Sequence, residues 1–169
     1  QPDQVAPRAH RLVLRGDDPG PQGARVRAVR PGFPLSVQLL LRERRGAAAA
    51  RQASTEFGGI DIWVNNAGIF PSIAIADMAE DDWDNVFAVN ARGTFLGARA
   101  AVRTMVEQGR GGVIVNIASL AGLGGISPGL AAYVSSKHAV VGLTRQLALE
   151  CAPQRIRVLA VAPSFMVTE

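Results

Sequence analysis

The 169-residue sequence is poor in several residue types: it has one cysteine, one tyrosine and one lysine, and aromatic residues make up only 5% of it. A single cysteine, Cys151, excludes an internal disulfide, and a small helix residue is a simpler interpretation of it than a nucleophile. No apolar run is long enough to span a bilayer, and no signal-peptide pattern opens the chain. We therefore expect a soluble cytoplasmic protein without membrane contact, and we predict no metal site.

The positive charge is concentrated at one end of the chain. Residues 1–55 hold ten arginines against four acidic residues, whereas residues 56–169 hold eight basic residues against ten acidic ones. The N-terminal arginines are mixed with Pro, Gly and Ala, and Phe33 is the only Phe, Trp or Tyr among them, which favours a solvated leader over a nucleic-acid-binding arm. We therefore divide the chain into an atypical segment, residues 1–55, and a domain, residues 56–169, and expect no nucleic-acid partner.

Short apolar runs separated by helical patterns indicate the fold class. The strongest runs are residues 60–64, 113–117 and 156–161, and a first helix is predicted over residues 35–57. Nearly all-apolar strands in series with helices are typical of a parallel sheet covered on both faces. The sequence therefore predicts an α/β protein with a partial Rossmann-like, doubly wound parallel sheet in three α/β/α layers. Residues 10–14 and 24–29 are weaker candidates for further strands.

The candidate site lies in residues 112–137. Ser119 follows the predicted strand, a glycine-rich loop comes next, and the only tyrosine, Tyr133, stands one helical turn before the only lysine, Lys137. A strand-end hydroxyl facing a phenol and an ammonium is how an α/β protein builds a site at the carboxyl ends of its strands. Taken alone, the Tyr/Lys pair is also compatible with an ordinary surface pair on a helix, and Ser119 with a cap hydroxyl.

The order of four motifs resembles the short-chain dehydrogenase/reductase family. Asn-Asn-Ala-Gly at residues 65–68 precedes Asn90, and both precede Ser119 with its glycine loop and the Tyr-x-x-x-Lys pair. The resemblance runs from about residue 56 to residue 168. It implies an oxidoreductase that transfers hydride between NAD or NADP and a small-molecule carbonyl or secondary alcohol, working as a homodimer or homotetramer.

The same resemblance implies roles for individual residues. Tyr133 would be the general acid/base, Lys137 would stabilise its phenolate and hold the nicotinamide ribose, and Ser119 would bind the carbonyl oxygen. Asn90 would hold a water that links Lys137 to solvent. The implied cofactor-binding residues are Asn65, Ala67, Gly68, Tyr133, Lys137, Pro163, Met166 and Thr168.

Two features leave an alternative open. The family's TGxxxGxG turn, which binds the pyrophosphate of the cofactor, has only an imperfect counterpart in Gly16, Gly20 and Gly23. After the last strand, Ser164 replaces a glycine of the family pattern. A catalytically impaired, truncated remnant that acts only as a folded or oligomerising module is therefore the second hypothesis.

Overall fold

The structure, a computed structural model, describes residues 26–27, 36–38 and 43–164. The strands are β1 Val26–Arg27, β2 Ser36–Gln38, β3 Ile62–Asn65, β4 Gly112–Ile117 and β5 Ile156–Val161. The α-helices are α1 Glu43–Phe57, α2 Glu80–Phe87, α3 Gly93–Gln108 and α4 Ala131–Cys151. A π-helical turn, Ala88–Arg92, joins α2 to α3, and 3₁₀ turns lie at Leu120–Gly122 and Ala152–Gln154.

The five strands form one sheet in the order β1-β2-β3-β4-β5. β1 pairs antiparallel with β2, and β2, β3, β4 and β5 pair in parallel. Register brings Asn65 opposite Asn116, and Asn116 opposite Ala160, near the carboxyl ends of their strands. The predicted α/β class and Rossmann-like parallel sheet are confirmed.

The predicted elements match the observed ones with two differences. The first helix begins at Glu43 and not at residue 35, because residues 36–38 form β2 and extend the sheet. β3 begins at Ile62, two residues later than predicted, because the backbone N–H and carbonyl of Ile60 bond to the side chain of Gln108 and not to a neighbouring strand. The candidate strand at residues 10–14 lies outside the described residues, and only residues 26–27 of the candidate at 24–29 are described as a strand.

The main hydrophobic core lies between one face of the sheet and three helices. Trp63, Ile114 and Ile156 point from successive strands into a cluster with small side chains of α1 and α3 and with Cys151 of α4. Alanines contributed by the helices, Ala49, Ala50, Ala53, Ala98 and Ala101, allow the helices to approach closely. Because α1 runs through residue 55 and belongs to this core, the core extends into the segment before residue 56. The division of the chain into two domains stays a prediction.

The described helices α1, α3 and α4 all contribute to the cluster on one face of the sheet. From β2 to β5, each parallel strand lies next to the preceding one, and the sheet grows in a single direction. Right-handed crossovers between such strands place every connecting helix on the same face of the sheet. On the opposite face Val64 and Val115 are half-buried and Leu159 is 42% exposed. The described residues therefore supply the sheet and one of the two predicted helical layers. Within these residues, no helix is long and apolar enough to cross a membrane.

Candidate active site

A cavity of about 230 Å³ opens where the chain leaves β3, β4 and β5 at their carboxyl ends. Three of the predicted catalytic residues, Ser119, Tyr133 and Lys137, line it together. The other lining residues are Asn66, Gly68, Ile69, Phe70, Ile117, Ala118, Pro163 and Ser164. The sheet edge therefore brings together side chains that are far apart in the sequence, as the strand-end position of each motif predicts.

Helix α4 carries Tyr133 and Lys137 one turn apart on the side that faces the cavity. Tyr133 is half-buried, whereas Lys137 is only 4% exposed. The Lys137 Nζ donates a hydrogen bond of 2.8 Å to the backbone carbonyl of Ile117, and it lies 5.7 Å from the centre of the Tyr133 ring. Burial lowers the pKa of Lys137, because desolvation disfavours its charged form.

Ser119 lies two residues after the end of β4 and caps the 3₁₀ turn Leu120–Gly122. Its Oγ accepts a hydrogen bond of 3.2 Å from the backbone N–H of Ala121. Among the described residues, none accepts the hydroxyl proton of Ser119. The same side chain thus works as a cap and keeps a donor for a ligand oxygen in the cavity, so the two interpretations of Ser119 are compatible.

Asn90 is fully buried in the π-helical turn between α2 and α3. Its amide exchanges two hydrogen bonds with the backbone of Ile69, one of 2.8 Å to the N–H and one of 2.9 Å to the carbonyl. Its Nδ2 also donates to the Oγ of Ser136 at 2.9 Å, and Ser136 in turn donates to the backbone carbonyl of Tyr133 at 2.7 Å. The Asn90 side chain does not line the cavity; it ties the loop after β3 to the helix that carries Tyr133.

Asn65 lies outside the cavity lining, although the family motif places it among the cofactor-binding residues. Its Oδ1 accepts from Trp63 Nε1, and its Nδ2 donates to Asn116 Oδ1, each at 2.8 Å. Asn116 donates onward to Thr144 Oγ1 at 2.9 Å. All four side chains are buried, so the amide of Asn65 is used inside the protein to join β3, β4 and α4.

The remaining predicted cofactor-binding residues divide into three groups. Gly68 and Pro163 line the cavity, and Ala67 does not. Met166 and Thr168 lie outside the described residues. Gly68 is exposed, and a Cβ added to it would lie 3.5 Å from both Lys137 Nζ and Asn90 Oδ1.

Four apolar members of the cavity were not among the site residues predicted from the sequence: Ile69, Phe70, Ile117 and Ala118. The Phe70 ring packs at 54° to the ring of Tyr133, with centroids 5.3 Å apart. The sequence positions of Ile69 and Phe70 could have indicated their place in the cavity, because both directly follow the Asn-Asn-Ala-Gly turn at the end of β3. That turn indicates a site, but the contact between Phe70 and Tyr133 depends on how the loop folds back across the sheet.

Residues 20–169 match the family of short chain dehydrogenases. The match begins well before residue 56, where the motifs recognised in the sequence begin. It therefore includes β1, β2 and α1 as well as the four motifs.

Curated relatives and solved structures give a consistent similarity. The chain is 45% identical over 157 residues to a 3-alpha-(or 20-beta)-hydroxysteroid dehydrogenase of Mycobacterium bovis, covering 92% of this chain and 60% of the relative. It is 42% identical over 123 residues to a 2-dehydro-3-deoxy-D-gluconate 5-dehydrogenase of Dickeya dadantii, covering 72% of this chain and 48% of the relative. A short-chain type dehydrogenase/reductase from Mycobacterium marinum superposes with a TM-score of 0.71 at 41% identity, over 73% of this chain and 49% of that one. The chain thus spans about half the length of the curated relatives it matches.

Proposed function

Because the chain belongs to the short chain dehydrogenase family, we propose that it carries the catalytic groups of an NAD(P)(H)-dependent oxidoreductase that interconverts a carbonyl compound and a secondary alcohol. The observation that supports this most directly is that Ser119, Tyr133 and Lys137 line one cavity at the carboxyl ends of the strands. A pair placed on an exposed helix face would leave Lys137 in solvent, whereas its side chain is 4% exposed.

The donors around the cavity fit the nicotinamide-ribose end of the cofactor. Lys137 Nζ has ammonium protons beyond the one given to Ile117, and ribose hydroxyls are suitable acceptors for them. Gly68 keeps the space beside that ammonium clear of a side chain, since a Cβ there would lie 3.5 Å from Nζ. When bound, NAD(P)(H) supplies or accepts the hydride. The contributions of Asn65, Ala67, Pro163, Met166 and Thr168 to cofactor binding stay predictions.

The protein's own part in the reaction is to move a proton and to hold the carbonyl oxygen. Tyr133 donates its phenolic proton to the oxygen during reduction and accepts it back during oxidation. The ammonium of Lys137, 5.7 Å from the ring centre, stabilises the negative charge that forms on Tyr133. Ser119 donates its hydroxyl proton to the same oxygen and stabilises the charge developing there.

Asn90 supports this set by positioning it. Its amide holds the Ile69 backbone, which borders the cavity, and reaches Tyr133 through Ser136. Both N–H donors and the oxygen of the side-chain amide are engaged in this way, which supports a positioning role. The predicted water between Asn90 and Lys137 stays a prediction.

The wider properties follow from the family alone. We propose NAD or NADP as cofactor, a small-molecule alcohol or carbonyl substrate, a homodimer or homotetramer, and a cytoplasmic location. The two curated relatives carry the names of a hydroxysteroid and of 2-dehydro-3-deoxy-D-gluconate, which differ in size and charge, so their names leave the substrate of this chain open.

Titration of the chain with NADH and NADPH tests the proposal. Trp63 is buried in β3, the strand whose carboxyl end leads into the cavity, so we expect saturable quenching of tryptophan fluorescence with energy transfer to the reduced nicotinamide. Tyr133→Phe removes the proton donor while keeping the ring, and turnover is expected to fall by roughly 10²–10⁴-fold with cofactor affinity nearly unchanged.

His138→Ala is the matched control on the same helix, because His138 is exposed and does not line the cavity. This variant is expected to keep both turnover and binding. Absence of any saturable response at millimolar cofactor would reject the enzyme hypothesis and leave the folded remnant. Retained turnover in Tyr133→Phe would reject the role of Tyr133.

A further inference from the structure

We propose that Phe70 is a specificity-determining residue and that the cavity selects an uncharged carbonyl compound with an aromatic or other bulky apolar group beside the carbonyl. This inference rests on the proposed function and narrows its substrate class. It comes from three observations: where the Phe70 ring lies, which charges the cavity contains, and how its polar and apolar groups are arranged.

Phe70 lies beside the proton donor and remains open to a ligand. Its ring is in tilted contact with Tyr133, with centroids 5.3 Å apart, yet the residue is 65% exposed. An aromatic side chain has few rotatable bonds, so covering its free surface with a ligand costs little conformational entropy. A flat apolar group bound next to the reacting carbonyl would cover this surface and gain both hydrophobic and ring–ring contact.

The cavity offers almost no charge to a ligand. Among its described lining residues, Lys137 is the only basic one and none is acidic. That ammonium is 4% exposed and donates to the Ile117 carbonyl while lying against the Tyr133 ring. A substrate carboxylate or phosphate held against Phe70 would have to lose its hydration without a counter-ion of its own, which is unfavourable.

The hydroxyl donors of the cavity include the residue that Phe70 contacts. Ser119 and Tyr133 both supply hydroxyl donors, and the Tyr133 ring touches the Phe70 ring. Asn66, Lys137 and Ser164 are further polar lining residues, and Ile69, Ala118 and Pro163 are apolar ones. A carbonyl oxygen held by Ser119 and Tyr133 therefore brings the neighbouring group of the substrate to the Phe70 side of the cavity.

Acetophenone and 4-acetylbenzoate form a matched pair of probes, since they share the methyl ketone and the ring and differ by one carboxylate. Butanone is the small aliphatic ketone without the ring. Binding of each is measured by saturation-transfer NMR with NADH present, and turnover is measured in parallel. We expect acetophenone to bind the wild-type chain at least about 10-fold more tightly than 4-acetylbenzoate. Phe70→Ala is expected to lower the acetophenone-to-butanone ratio of kcat/KM and of affinity by about 10-fold.

Ile75→Ala is the control for a general loss of apolar surface, because Ile75 is 69% exposed and does not line the cavity. This variant should leave the acetophenone-to-butanone ratios of kcat/KM and of affinity unchanged.

Equal binding of the two acetyl compounds, or an unchanged acetophenone-to-butanone ratio in Phe70→Ala, overturns the proposal. The second result would mean that Phe70 only supports Tyr133, since all substrates would then lose activity together. A large loss of NADH affinity in Phe70→Ala with unchanged ketone ratios would likewise overturn it and assign the ring to the cofactor. Ketone binding with the expected preference but without turnover would support Phe70 while rejecting the proposed function.

Discussion

Gly97 of α3 faces the buried hydrogen bonds that link Trp63, Asn65 and Asn116 below the candidate site. A Cβ at this position would overlap with Asn65 Oδ1 and would lie 3.1 Å from Trp63 Nε1. Both atoms belong to the hydrogen bond that joins Trp63 to Asn65, and both residues are buried. The absence of a side chain at Gly97 is therefore what lets α3 pack over the end of β3.

Gly97→Ala is expected to lower the free energy of unfolding by about 2–4 kcal/mol, because the methyl group overpacks the helix–sheet contact and displaces a buried hydrogen bond. Urea unfolding followed by tryptophan fluorescence measures the change. Gly142→Ala is the matched control, since Gly142 lies inside α4 with nothing within 4 Å of an added Cβ. That substitution should raise stability by about 0.5–1 kcal/mol through helix propensity. Equal effects of the two substitutions would contradict this account of Gly97.

At the scale of elements, a buried hydrogen bond between two side chains joins the strand before Ser119 to the helix with Tyr133. Asn116 Nδ2 of β4 donates to Thr144 Oγ1 of α4 at 2.9 Å, and Thr144 donates to Val140 within the helix. Both partners are buried. Because β4 leads to Ser119 and α4 carries Tyr133, this bond helps set the spacing between the two catalytic side chains.

Thr144→Val keeps the shape of the side chain but leaves the amide of Asn116 without its acceptor. We expect a loss of about 1–3 kcal/mol in the free energy of unfolding, the cost of an unsatisfied buried donor. Thr144→Ser retains the hydroxyl and is expected to lose less than half as much. Chemical denaturation of the three proteins under one condition provides the comparison. A serine variant as unstable as the valine variant would show that the methyl group, and not the hydrogen bond, matters.

At the scale of the whole molecule, one core joins α1, α3 and α4 to the sheet. The reactivity of the Cys151 thiol measures how often this core opens. The thiol is 4% exposed and belongs to the same cluster as Trp63 and Ile114. Desolvation, with a smaller contribution from the charge of Glu150, raises the pKa of Cys151. Both effects suppress the thiolate, which is the reactive form.

Labelling of Cys151 by a thiol reagent should therefore be slower in the native protein than in concentrated urea by about 100-fold or more, because reaction requires the core to open. Mass spectrometry should show a single label per chain, as the sequence has one cysteine. If Gly97→Ala weakens the whole core, its native labelling rate should rise by roughly 30-fold for each 2 kcal/mol lost. Native labelling as fast as in urea would show that α4 does not close this core.

The sequence predicted the elements that carry the site because their signals are local. The apolar run at residues 113–117 predicted the strand that is observed at Gly112–Ile117, and the spacing of Tyr133 and Lys137 follows from the 3.6-residue helical turn. The motifs at strand ends then indicated that Ser119, Tyr133 and Lys137 meet, and the cavity contains all three. The start of the first helix could not be predicted from local patterns, since β2 is recognisable as a strand only through its pairing with β3.

Contacts between distant residues were decided by the tertiary structure alone. An asparagine in a turn motif has the same local signal whether its amide faces a ligand or a buried neighbour, and only the register of β3 against β4 turns Asn65 toward Asn116. In the same way, the fold of the loop after β3 places Phe70 on Tyr133, and the strand order sets the described helices on one face of the sheet. Short-range periodicity fixes which residues form a strand or a helix, but hydrogen bonds and ring contacts across 50 or more positions depend on how those elements are arranged in space.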